Sequence, residues 1–203
     1  MAKPDRRTDR TRAALMSAFV GVLLAEGYEA LTVEQVCARA NVGRSTFYLH
    51  YTGKEAILRE SLKRPGSVLA VLVGNVLPSD ALVGQLVHFH DQRRRNHIFF
   101  AGQVRTIWIR SLAELIEPRL AKLVRAHRAR PILPLSFAAL QVAEAQLALI
   151  ANWLTANPST KPEIIAEALV DTTHATVAAL LRTQSQPPLL IPNEKLAFRF
   201  VEP

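Results

Sequence analysis

Apolar residues recur along this chain at intervals of three and four, the period of helices that bury one face. Leu15, Ala18, Phe19, Val22 and Leu23 form one such stripe. It predicts a helix that starts near Thr8 or Thr11 and ends at Glu26, with Gly27 as the residue just past its end. Val33, Val36, Cys37 and Ala40 form a second, shorter stripe, and Thr32 and Gln35 at its start have the spacing of a capping box. Asn41-Val42-Gly43 is turn chemistry, since Asn tolerates the left-handed conformation in which helices stop. A third helix is predicted over Arg44–His50 with Phe47 as its inward anchor. A fourth follows from a second capping-box pattern, Thr52 to Glu55, through Ile57, Leu58 and Leu62. Pro65-Gly66 should break it and mark a domain boundary.

Beyond residue 66, helical segments alternate with Pro or Gly. Helices are predicted over residues 68–77, 79–94 (capped by Ser79), 96–102 and 104–129, the last kinked or broken by Pro118. Two long ones follow, over 135–157 between Pro134 and Pro158, and over 161–183 with Pro162 in its first turn. No internal repeat or low-complexity tract interrupts this order. Residues 187–203 carry no periodicity and are left as a tail without assigned structure. The expected fold is all-α.

Two short helices joined by a tight turn form a helix-turn-helix, whose second helix fits a DNA major groove. The run NVGRSTFYLHYTGKEAIL resembles the signature of tetracycline-repressor-like (TetR-family) regulators. It has the small-residue turn, a recognition helix with Thr46, Phe47, Tyr48, His50 and Tyr51 at the family's spacing, and Lys54-Glu55 opening a linking helix. The preceding EGYEALTVEQVCARA is similar to that family's entry into its second helix. The resemblance covers about residues 11–62. Two positions depart from it: Asn41 where the family commonly has Gly, and Gly43 where Ser often caps the recognition helix. Gly at an N-cap costs only a few tenths of a kcal/mol relative to Ser.

The resemblance implies a helix-turn-helix DNA-binding domain over residues 1–64, with an arm at 1–10 and a linking helix at about 54–64. A helical regulatory and dimerisation domain follows over residues 65–186. It also implies a homodimer built through about 135–157 and 161–183, and a repressor released from a palindromic, double-stranded DNA operator by a small-molecule effector. The residues allow the dimer: the first of these segments is dense in Ala (138, 139, 143, 145, 148, 151), and Ile164, Ile165, Ala168, Leu169, Thr172 and Ala179 form a stripe on the second. A protein with the same head and no ligand, acting as an architectural or recruiting factor, is the alternative.

Composition narrows the partners. The 203 residues carry a net charge of +8, which favours a polyanionic partner, and 49% are hydrophobic, ample for a core. The single Cys37 excludes an intrachain disulfide and suits a reducing cytoplasm. The run at 68–77 is too short to span a bilayer, and no signal-like segment is seen, so a cytoplasmic protein with no membrane partner is expected. Residues 1–12 hold five cations against two acids, which fits a DNA-touching arm as well as a solvated terminus.

For DNA, the candidates are Thr32, Gly43, Arg44, Ser45, Thr46, Tyr48, His50 and Lys54. Arg44 suits bidentate contact to guanine, and hydroxyls suit phosphate or base. By the family pattern Tyr48, His50 and Lys54 clamp the sugar-phosphate backbone, giving affinity without base identity. Thr32 presents a hydroxyl and a helix N-terminus to a phosphate. For an effector, the aromatic-rich later helices supply His88, Phe89, Phe100, Trp108 and Trp153, with Gln146 as a polar group able to orient a ligand. His88 and His90 lie two apart on a helix, about 200° around it, and cannot chelate one ion. No metal site, cofactor fingerprint or catalytic constellation is legible, so no enzyme is expected. Arg93-Arg94-Arg95 reads as a solvated helix end.

Overall fold

Local rules set the first three helices. The computed structural model describes residues 6–74 and 78–181. The first helix, α1 (Arg6–Glu26), buries Leu15, Ala18, Phe19, Val22 and Leu23, the predicted stripe, and starts earlier than its caps suggested. Gly27 follows at φ 82°, a left-handed position that favours glycine. The capping box forms at α2 (Val33–Ala40): the Gln35 amide donates to the Thr32 hydroxyl at 3.3 Å, and the Thr32 amide donates to Gln35 Oε1 at 2.7 Å. Asn41 ends α2 at φ 53°, ψ 48°. The chain then enters α3 (Arg44–His50) through Gly43, an N-cap without a side-chain bond.

The fourth helix departs from expectation at both ends. Thr52 and Glu55 form no capping box; α4 (Lys54–Ala70) opens from Gly53, again without a side-chain cap. Nor does Pro65-Gly66 break it. Pro65 removes one ladder donor, but the following turns are buried against α7 (Gly102–His127). Gly66 is the point of close approach: a Cβ there would lie 3.2 Å from Leu115 Cδ1 and 3.9 Å from Trp108 Nε1. Tertiary packing thus carries the helix five residues past the expected stop, and the predicted domain boundary falls inside it.

The remainder is α5 (Asp80–Asp91), capped by Ser79, then α6 (Arg93–Asn96), a 3-10 turn His97–Phe100, α7, α8 (Leu135–Ala156) and α9 (Pro162–Leu181). The single helix expected over 79–94 is therefore two, divided at Gln92, and Pro118 sits inside an unbroken α7. The helix expected over 68–77 is the end of α4 and a turn through residue 74. No strand occurs among the described residues. The most extensive packing joins α7 to α8 and to α4, and α9 packs on α8 and α5.

By length and composition alone, α8 and α9 are each long and apolar enough to cross a membrane. Each nevertheless buries one face in the bundle: Ala138, Ala139, Val142, Ala143, Leu147 and Ile150 on α8, and Leu169 and Val170 on α9. Three of the α8 alanines, Ala138, Ala139 and Ala143, are therefore spent on packing within the chain, and Ala145, Ala148 and Ala151 are not fully buried. The exposed large apolar residues include Phe137 and Leu140 on α8 and Ile164 on α9.

Candidate nucleic-acid interface

The recognition helix is held from behind and open in front. Phe47 is fully buried, with its ring 5.4 Å from Tyr48 and 5.7 Å from Tyr51. Arg44, Ser45, Tyr48 and Leu49 face solvent, while Thr46 and His50 are half-buried at the flanks. Arg12 braces the end of α3 from α1: its guanidinium lies 5.9 Å from the Tyr51 ring centre and pairs with Glu60 of α4 at 3.1 Å.

Two residues here were not singled out in advance. Glu34, on the exposed first turn of α2, pairs with Arg44 at 2.9 Å. Both side chains are more than half exposed, so the pair orients Arg44 more than it stabilises the fold. Leu49 is 83% exposed beside Tyr48, an apolar tip suited to a thymine methyl group. Its only sequence signal is a large apolar residue off the buried stripe. Cys37, behind this surface, is an inert core residue whose thiol pKa is raised first by burial and then by Glu34, against a lowering by Arg44.

Two expected phosphate contacts are otherwise engaged. The Thr32 hydroxyl belongs to its cap, accepting from the Gln35 amide and donating to Gln35 Oε1 at 3.1 Å. Gln35 in turn donates to Glu26. Lys54 turns inward: Nζ donates to the carbonyls of Tyr28 at 3.0 Å, Leu31 at 3.2 Å and Glu29 at 3.4 Å, and lies 4.7 Å from the Tyr28 ring centre. An ammonium has three N–H donors, and all three are used. Lys54 ties the start of α4 to the α1–α2 connection. We expect Lys54→Met to lower the stability of the head by about 1.5–3 kcal/mol, the range for hydrogen bonds to a charged group. Urea unfolding checks this, and an unchanged midpoint would show the three bonds to be incidental.

A cleft of about 870 Å³ opens behind the head between α1, α4, α5, α6 and α7. Val20 and Leu24 of α1, Leu62, Pro65 and Val68 of α4, and Phe99 supply apolar wall. Of the expected effector residues, His88, Phe89 and Trp108 line it. Phe100 stands behind them, its ring 5.0 Å from Trp108 and 5.6 Å from Phe89. Gln146 and Trp153 are elsewhere. Gln146 is buried and donates to the carbonyl of Leu69 at 3.3 Å and to the Thr173 hydroxyl at 3.0 Å. Trp153 donates to the Thr160 carbonyl at 2.9 Å and stacks on His90 at 5.5 Å. His90 in turn meets the Pro158 carbonyl at 2.7 Å, so His88 and His90 point to different parts of the bundle.

Residues 15–61, from the middle of α1 to the middle of α4, match the family model "Bacterial regulatory proteins, tetR family". The helix-turn-helix head is of the TetR type. Its helix-turn-helix is similar to two curated Bacillus subtilis (strain 168) proteins. The uncharacterized HTH-type transcriptional regulator YxbF is 41% identical over 61 residues, 30% of this chain and 16% of that one. The uncharacterized HTH-type transcriptional regulator YdeS is 34% identical over 55 residues, 27% of this chain and 28% of that one. The match thus spans well under a third of each relative's length. The TetR fold extends further: a TetR transcriptional regulator from Streptococcus agalactiae 2603V superposes with a TM-score of 0.54 at 24% identity, over 83% of this chain and 96% of that one.

Proposed function

We propose that this chain is a TetR-family, cytoplasmic DNA-binding repressor that grips a palindromic operator as a homodimer and is released by a small molecule held in the cleft. The observation that carries the DNA reading is the α3 front: four exposed side chains on a helix anchored by Phe47, with Arg44 oriented by Glu34. The exposed Phe137, Leu140 and Ile164 support pairing of two chains through α8 and α9. A two-fold dimer would present two recognition helices about 34–36 Å apart, or a multiple of that, to successive major grooves. Ser45, Tyr48 and His50 then flank the base contacts, and residues 65–186 form the regulatory part, joined to the head within α4. The tail at 187–203 lies outside the described residues, as does the first half of the arm at 1–10; its second half opens α1.

Selection of bound sequences from a random DNA pool, followed by footprinting, tests this. A protected two-fold site is expected, and a lone half-site held by a monomer would overturn the dimer. Arg44→Ala should relax base preference at one position of each half-site, costing about 1–3 kcal/mol there and little on other sequences. Equal weakening on every sequence would remove Arg44 from base reading. Lys54→Met, with its donors already spent inside the head, should leave the slope of log affinity against log salt unchanged.

A further inference from the structure

Two residues of the cleft wall carry buried N–H donors with no protein acceptor among the described residues. Asn96 is 6% exposed and Trp108 1% exposed; both line the cleft, and neither Asn96 Nδ2 nor Trp108 Nε1 has a hydrogen-bond partner. A donor buried without an acceptor costs about 1–3 kcal/mol, so each of these groups gains when an acceptor is brought to it. The charge of the wall has one sign. Arg64 and Arg95 line the cleft, neither forms an ion pair or side-chain hydrogen bond among the described residues, and no lining residue is acidic. Opposite these groups stand Val20, Leu24 and Val68 with the Phe99 ring. The volume suits a drug-sized molecule.

We infer that the cleft takes an amphiphilic organic anion, its oxygens accepting from the Asn96 amide and the Trp108 indole N–H, its charge facing Arg64 and Arg95, and its apolar body against Val20, Leu24 and Val68. This rests on the proposal that the cleft is the effector site and names the chemical class that site selects. A cation would meet two arginines and leave both donors unmatched, whereas a neutral amide would satisfy the donors and forgo the charge. Val20 and Leu24 belong to α1, so the bound molecule would touch the DNA-reading head itself as well as α4.

Calorimetric titration of the full chain with naphthaleneacetate, naphthaleneacetamide and naphthylethylamine separates these cases, because the three share an apolar body and differ in the polar end. The carboxylate should bind about tenfold more tightly than the amide, as one charge-assisted contact gives, and the amine should bind weakest. Asn96→Leu and Arg95→Gln should each weaken the carboxylate about tenfold, and Arg95→Gln should narrow its margin over the amide. Trp108→Phe keeps a ring and removes the donor, so it should weaken the carboxylate and the amide alike. Equal or tighter binding of the amine, no binding of any of the three to the wild-type chain, or wild-type carboxylate affinity in all three variants would overturn the inference. Variants are compared only after thermal melts show them folded; the wild-type series decides on its own should a variant not fold. DNA binding is measured separately without ligand. Its loss with anion selectivity intact would remove the regulator, and its presence with selectivity absent would remove the anion alone.

Discussion

Phe47→Ala is expected to destabilise the head by about 3–5 kcal/mol and to abolish DNA binding. The ring is fully buried, and α3 is seven residues long. A helix of that length does not persist by propensity, so its shape and orientation come from packing. Phe47 and Tyr51 supply that packing, and Phe47 also carries the edge contact to Tyr48. Removing the ring frees the helix that presents Arg44, Ser45, Tyr48 and Leu49, so binding should fail even at temperatures where the regulatory helices stay folded. Phe47→Leu keeps most of the apolar volume and should cost well below that. Circular dichroism melts with parallel DNA titrations decide it, and an alanine variant with wild-type melting would place the anchor elsewhere.

Trp108→Ala should cost a comparable amount, about 3–5 kcal/mol, in the other half of the protein. Its ring lies 5.0 Å from Phe100, 6.0 Å from Phe89 and 6.4 Å from Phe99, and its nitrogen is 3.9 Å from where a Cβ on Gly66 would stand. Deletion would open a hole where α4, α5 and α7 meet. Trp108→Phe should cost far less than half as much, because the indole N–H has no protein partner to lose. Urea unfolding of both variants checks this: if Phe costs as much as Ala, the nitrogen is engaged in a contact not seen in this structure.

The head was legible because its instructions are local. The Thr32 box, left-handed Asn41 and the α1 and α2 stripes act within a few residues, where caps and periodicity are reliable guides. Downstream, distant partners overrode local signals. Pro65 reads as a stop until Gly66 is seen against Leu115 and Trp108, and Pro118 reads as a break within an α7 that buries one face from Val104 to Leu120. Lys54 looks like a phosphate donor because nothing nearby in sequence announces the carbonyls 23–26 residues away that it meets. Gln146 and Trp153 share the composition of ligand contacts and serve as internal ties. Asn96 went unmarked for the opposite reason: it follows Arg93-Arg94-Arg95, a run that reads as solvated, yet it is buried in the cleft.

The Gln146 amide grips α4 at the Leu69 carbonyl, and through Thr173 it holds the same point to α9. Lys54, at the opposite end, is fastened to the connection between α1 and α2. The helix is therefore a rod with a pivot at one end and its load at the other, and the cleft meets it between them, at Leu62, Pro65 and Val68. From Leu69 to Lys54 the rod is about 22 Å long at 1.5 Å per residue. A tilt of about 5° about the pivot moves the loaded end by about 2 Å, whereas at Pro65, about 6 Å from the pivot, the same tilt moves the backbone by only about 0.5 Å. Were α4 to tilt about this point, the lengths would give roughly fourfold gain: a displacement at Pro65 of less than a bond length would shift the start of α4, next to the recognition helix, by more than one.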